Sequence, residues 1–409
     1  MKMVNNIPNL SFRAKRGICF FSFCHPRPDW GSSVFFSLLV MGVVALSGLI
    51  LAAGTPARAD ESPDSGQTER HLRNVRQLTT GGKNAEAYFS FDGSRLIFQS
   101  TKDPASQTLG DCYQMYVMDL DGENVHRVST GYGAATCGYF FPGGRRILYS
   151  STHMAGLQCP PKPKRGLKYR WALDDYEIYS VRLDGRELHR LTFSPGYDAE
   201  ATVSPNGRKI VFTSVRDGDI DLYSMNIDGT GLKRLTDDVG YDGGAFYSPD
   251  SKRIVYRAQH PGTPEERAAY QELLSRNLME SSSLQLFVMN ADGSGKRQVT
   301  QNGASNFAPF FHPDGRRIMF TSSGPETAQA KEPALSLSKE PALSLSKGRP
   351  SFHLYLVNDD GTRLEQITFE GHFNSFPMFS PDGKLLVWIS DRHAKAQGEY
   401  NVFLADWAP

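Results

Sequence analysis

From about residue 84 onward, short apolar runs alternate with polar corners at a steady pace. The runs RLIFQS, RRILYS, RKIVFTS, KRIVYRA, RRIMFTS and KLLVWIS are each too short for a helix and rich in β-branched and aromatic residues, so they predict strands. Apolar residues fill both parities of these runs, as in Leu385, Leu386, Val387, Trp388 and Ile389, so both faces of the strands are expected to be covered. Ahead of each run stands a turn: SFDG at Ser90, FPGG at Phe141, SPNG at Ser204, SPDS at Ser248, HPDG at His312 and SPDG at Ser380. Proline presets φ, the acidic or amide side chain bonds the local backbone, and glycine takes the positive φ that closes a hairpin.

A second hairpin follows the first: YVMDLDGENVHRVS, YSVRLDGRELHRLT, YSMNIDGTGLKRLT, FVMNADGSGKRQVT and YLVNDDGTRLEQIT. Its outer strand carries lysine and arginine, as a solvent edge should. Two hairpins in series make a four-stranded antiparallel unit, and the period of such units is that of a propeller blade. Six first hairpins are present, but only five second hairpins are complete. The chain finishes on YNVFLADW, a third strand without a fourth. After its leader it begins on LRNVRQLTT, a fourth strand without the other three. The fold class predicted is all-β: a six-bladed β-propeller of four-stranded antiparallel blades, closed by pairing of the N- and C-terminal strands.

The first 59 residues read as a targeting segment. Arg13, Lys15, Arg16 and Arg27 precede an apolar run from Val34 to Ala53, and Ala57 and Ala59 form an A-x-A cleavage signal before Asp60. Residues 60–71 are expected to be a flexible mature N-terminus and 72–409 a single propeller domain, with a low-complexity insertion at 324–351 holding KEPALSLS twice. Export places the protein in the periplasm, an oxidising compartment. Cys112, Cys137 and Cys159 then remain, enough for one disulfide joining Cys112 to either of the other two.

The motifs also carry a resemblance. The SPDG corners, the LYSMNIDGTGLKRLT hairpin and the secretion signal resemble TolB-like propellers, over about residues 70–409. That resemblance implies a periplasmic six-bladed ring, distantly related to WD-type repeats, that binds partner proteins. The family archetype also has an N-terminal α/β domain, for which there is no room between Asp60 and Leu72.

Chain direction puts the SPDG and xDG corners on one face of the ring. All the long insertions join second to third strands on the other face: Thr101–Cys112, Met154–Asp175, Pro261–Ser283, Gly324–Ser351 and Ala394–Glu399. Loops elaborated on one face of a rigid scaffold are how binding sites are usually built. One insertion, TPEERAAYQELLSRNLM, opens with a capping box and predicts a short helix with Ala269, Leu273 and Leu274 on one side. The inner strands also begin at this face, with Glu86, Asp198, Glu200, Asp242, Asn306 and Asn374 expected around the channel mouth as ligand-binding residues. Asp198 and Glu200 are two apart and are expected on the same side of a strand. Such a ring suits the basic end of a peptide, or a cation, calcium or magnesium rather than zinc; each acid capping a local backbone amide or pairing with an arginine such as Arg216 is the structural alternative. His153, His260 and His393 follow second strands of blades two, four and six, too widely spread for a shared metal.

The charge balance, 45 basic against 44 acidic residues, argues against nucleic acid as a partner. There is no G-x-S-x-G elbow, H-E-x-x-H, phosphate loop or dinucleotide fingerprint. The function expected is therefore a non-catalytic, monomeric scaffold without a cofactor. It would bind envelope proteins or peptides and touch a membrane only through an uncleaved signal. The alternatives are a periplasmic hydrolase or lyase acting on peptide or sugar at the acidic mouth, and an accessory subunit gating a separate peptidase.

Overall fold

The computed structural model describes residues 68–106, 109–163, 170–280, 283–324 and 351–409. The targeting segment and the KEPALSLS repeats lie outside the described residues. Six four-stranded antiparallel sheets are arranged as blades. Blade one is Asn84–Phe89, Arg95–Lys102, Leu109–Asp119 and His126–Arg127. Blade two is Ala135–Phe140, Arg146–Ser151, Glu177–Arg182 and His189–Arg190. Blade three is Asp198–Val203, Lys209–Ser214, Asp221–Asn226 and Lys233–Arg234. Blade four is Tyr241–Tyr247, Arg253–Gln259, Gln285–Asn290 and Arg297–Gln298. Blade five is Asn306–Phe311, Arg317–Ser322, His353–Asn358 and Glu365–Gln366.

Blade six is spliced from both chain ends. Asn374–Phe379, Leu385–Ser390 and Asn401–Trp407 are completed by Leu72–Gln77, which pairs Leu72 with Trp407 and Gln77 with Phe403. The ring is thereby closed, and no sheet edge is left along the junction.

The turn chemistry operates as the residue types dictate. In blades one, three, four and six the corner serine hydroxyl meets the Asp or Asn two residues on, and accepts the N–H that opens the second strand. A second device recurs in all six blades. A backbone N–H of each third strand donates to a hydroxyl just past the fourth: Met115 to Ser129, Ile178 to Thr192, Leu222 to Thr236, Leu286 to Thr300, Leu354 to Thr368 and Val402 to Thr79. This is why the second hairpins end on Ser or Thr after an apolar residue.

The core lies between blades, where second-strand residues such as Ile97, Leu148, Phe212, Val255, Phe320 and Val387 are fully buried. The axis is filled as well. Tyr88 of blade one meets Phe246 of the opposite blade four edge-on at 5.4 Å, and Tyr139 and Phe310 pack on the same ring at 6.0 and 5.4 Å. This aromatic layer blocks the channel below the loop face.

Candidate functional site

Each inner strand carries a β-bulge in the same place, marked by a register shift after its first residues. At each bulge one residue takes a left-handed backbone: Glu86, Cys137, Glu200, Gly244, Ala308 and Phe376, with φ between 49° and 59°. A bulge re-aims the side chains on either side of it. Asp198 and Glu200, expected on one side of a strand, therefore part company. The six candidate residues fall into two sets.

The first set opens the inner strands and is buried in hydrogen-bonded clasps. Both oxygens of Asp198 accept from Arg216 Nη2, at 2.9 and 2.8 Å. Burial nevertheless pushes the Asp198 carboxyl above its ordinary range, against the pull of Ser214 and Arg216. Asp242 faces His260 Nε2 at 3.1 Å. Asn306 donates to Asn302 Oδ1 at 2.8 Å and accepts from Ser322 Oγ at 2.7 Å. Asn374 donates to the Glu370 carbonyl at 2.9 Å and accepts from Arg392 at 3.2 Å.

The second set occupies the bulges. Glu200 is saturated: Thr213 Oγ1, Tyr241 Oη and the Gly244 N–H all donate to its Oε2 at 2.9–3.0 Å, and the Arg257 guanidinium pairs with its other oxygen. The guanidinium passes 3.1 Å from where a Cβ would stand on Gly244, so glycine suits both the φ and the space there. Glu86 is held far more loosely. Gln99 Nε2 lies 3.5 Å away, and that amide's oxygen is engaged by Thr136 and the Cys137 N–H. Burial pushes the Glu86 carboxyl up to about 7, opposed by the Cys137 thiol. The thiol in turn is pushed up by burial and by Glu86 and Glu200, which keeps it neutral.

Above this layer the loop face has two unlike halves. Over blades three and four it is capped. Arg170–Ala172, from the blade-two insertion, pairs antiparallel with Leu278–Glu280 from the blade-four insertion. Arg170 bonds Glu280 at 2.5 Å, Met279 is buried, and Trp171 stands edge-on to Tyr241 at 5.6 Å. The helix spans Pro264–Leu274 with the expected capping box at Thr263 and Glu266. Its packed side is Tyr270 and Leu274 rather than Ala269, which is exposed; Tyr270 Oη donates to the Gly240 carbonyl at 2.7 Å. A disulfide joins Cys112 to Cys159 and tethers the blade-two insertion to blade one, leaving Cys137 free.

Over blades five and six, half-buried rings form a connected arc. Phe307 meets Phe352 and Phe376, Phe352 meets Phe373, and Phe373 meets Tyr400, with centroids 4.9–6.2 Å apart. Sequence reasoning missed this arc, together with Arg257, Tyr241 and Gln99. Aligning the repeats at their bulges would have placed Phe376 and Cys137 beside Glu86. Among the described residues, no group of three or more histidine, cysteine or carboxylate side chains is placed to hold a metal ion.

Comparison with known proteins gives a consistent picture. A family model described as the TolB beta propeller domain matches residues 171–277. A TolB homolog of Chlorobium chlorochromatii is 25% identical over 205 residues, 43% of this chain and 44% of that protein. The Tol-Pal system protein TolB of Bordetella pertussis is 26% identical over 177 residues, 37% of this chain and 39% of that protein. The matched stretch thus spans less than half the length of these curated relatives. A solved TolB-type structure from Agrobacterium tumefaciens superposes with a TM-score of 0.51 at 19% identity, covering 82% of this chain and 97% of that one, a likeness of fold.

Proposed function

Taking a TolB-like β-propeller as the premise, we propose that this protein is a periplasmic binding scaffold for envelope proteins or peptides, docking through its loop face at the channel mouth. The observation that carries this reading is the contrast between Glu200, saturated by four partners, and Glu86, loosely held at its bulge on the blade next to Phe376 of the aromatic arc. An acid next to aromatic faces suits a segment presenting a cationic group with an apolar neighbour. Asp198, Asp242, Asn306 and Asn374 serve this surface by fixing the strand starts that shape the mouth. The relatives named for the Tol-Pal system favour a protein partner.

The test is crosslinking from intact envelopes with the full chain, comparing wild type with Glu86→Gln and Phe373→Ala. A partner captured by wild type and lost from both variants supports the reading. Equal capture by all three removes the mouth from the interface. A carboxyl held near neutrality is also what general acid–base catalysis needs. That second reading requires turnover of a peptide or oligosaccharide that Glu86→Gln abolishes.

A further inference from the structure

Over blade two the loop face carries the four most exposed large apolar side chains among the described residues. Tyr132, Met154, Leu157 and Phe193 are 57%, 64%, 61% and 72% exposed, and the next, Leu232, stands at 48%. All four lie in links of this one blade. Tyr132 is in the link that enters it, Met154 and Leu157 are in its insertion, and Phe193 is in the link that leaves it. Folding hides such side chains where it can, and a cluster of them left in water marks an interaction surface.

The cluster is held in place. The Gly133 N–H donates to the Leu157 carbonyl at 2.9 Å and the Ala134 N–H to Thr152 Oγ1 at 3.0 Å, so the chain behind Tyr132 lies against the turn that bears Met154 and Leu157. That approach needs glycine: a Cβ on Gly133, at φ 59°, would stand 2.7 Å from Thr152 Oγ1. The Cys112–Cys159 disulfide fastens the insertion just after Leu157. Phe193 is joined through packed groups. His153, next to Met154, packs on Tyr179 at 4.4 Å; Tyr179 pairs with Arg190 across the strands; Arg190 lies over Phe193 at 4.7 Å. The surrounding charge has one sign. Between Glu123 and Asp174 the sequence holds no acidic residue and eight basic ones, six of them apart from Arg145 and Arg146 of the opposite face, in a chain whose totals are 45 and 44. Lys162 is exposed just past the disulfide. Acids brought up by neighbouring strands are matched: Asp103 faces Arg127 at 3.8 Å, and Glu177 pairs with Arg190.

We propose that the loop face over blade two is a membrane-contact surface that seats on a bilayer of anionic phospholipid. Side chains exposed over more than half their surface are tips rather than walls of a cleft, and a fluid bilayer closes around separate tips. Met, Leu and Phe enter the acyl boundary, and Tyr sits at the level of the headgroups. Lysine keeps its ammonium at the phosphates while its stem lies along the apolar surface. The surface does not rest on the docking reading above, whose acid and aromatic arc belong to other blades.

The test is flotation of the full chain, as exported, with phosphatidylcholine vesicles that contain or lack phosphatidylglycerol. Binding that requires phosphatidylglycerol and weakens with salt is the expected result, since screening tightens from about 8 Å at 0.15 M to about 3 Å at 1 M. The triple variant Met154→Ser, Leu157→Ser, Phe193→Ser changes only exposed positions. It should keep the wild-type melting midpoint and partition at least about tenfold less onto the anionic vesicles. Lys162→Glu should weaken binding more at low salt than at high. Equal binding to both vesicles that the triple variant retains assigns attachment to the apolar run of the leader and overturns the proposal. So does absence of vesicle binding by wild type, including the case where soluble poly-glutamate binds in its place, which assigns an acidic protein partner.

Discussion

Blade three is one continuous stretch of chain; blade six is assembled from its two ends. Locally they are built alike, with the same strand order, the same N–H to threonine hydroxyl bond, and an arginine laid over two aromatic rings. They differ in how much holds the fourth strand. In blade three that strand is two residues long, because a tight turn already keeps it beside its partner and closing a short loop costs little entropy. In blade six it is six residues long and is reinforced. Glu69 pairs with the buried Arg392 at 2.9 Å, His71 stacks on Trp407 at 4.8 Å, and Arg70 and His71 both reach Glu365. Where covalent connection is missing, ladder length and ion pairs take its place.

The sharpest way to break the comparison is to remove one end. Deleting Tyr400–Pro409 takes away the third strand of blade six and strips cover from Leu386 and Trp388. We expect loss of cooperative thermal unfolding by circular dichroism; an unchanged transition would show that the ring does not need its splice. Next in size is Arg392→Ala, which leaves Glu69 and Asn374 without their partner in a buried setting. It should cost about 3–5 kcal/mol in urea unfolding. Arg216→Ala should cost less, because burial already raises the Asp198 carboxyl and protonation offers it relief.

Acid should separate the two blades further. Burial pushes Asp221 of blade three up to about 6, despite Arg234 and Thr236. Its contribution to stability is present below its unfolded value and lost as pH rises through about 6, so mild acid favours blade three. Glu399 of blade six runs the other way. Burial raises it, but bonds from Asn401 and from the Gly81 and Lys395 N–H groups outweigh burial and hold it below its ordinary value. Its stabilisation is present above the unfolded value and lost as pH falls through the folded one. Pepsin at about pH 3.5 should therefore cut first near Leu72–Gln77; first cleavage within blade three would contradict the assignment. The smallest effect is expected from the shared hydroxyl bond. Thr79→Val and Thr236→Val should each cost about 1 kcal/mol; a much larger loss at Thr79 would show that this single bond carries the closure.

The blades were legible in the sequence because turn chemistry is local. Ser-Pro-Asp-Gly and Asp-Gly corners state where a hairpin turns, and the half-blades at the two chain ends state how the ring closes. The channel mouth was less legible because its geometry depends on bulges that residue types do not announce. Only Gly244 among the six left-handed positions is glycine; Glu86, Cys137, Glu200, Ala308 and Phe376 adopt that backbone because the ring imposes it. Two-residue spacing therefore misplaced Asp198 relative to Glu200. The pairing of Arg170–Ala172 with Leu278–Glu280 and the choice of Cys159 over Cys137 join segments far apart in sequence, where short-range pattern is silent.

The splice also sets a timetable. His71 and Ala408, in hydrogen-bond contact at 2.6 Å, are 337 positions apart, so the earliest strand of the ring to be synthesised must wait for the last. At the usual pace of translation that wait lasts tens of seconds, during which an unpaired, sticky ribbon is on offer to any neighbouring chain. A newborn molecule is thus at its most vulnerable just before completion, and a helper that shields its leading end would matter more to yield than one that guards its middle.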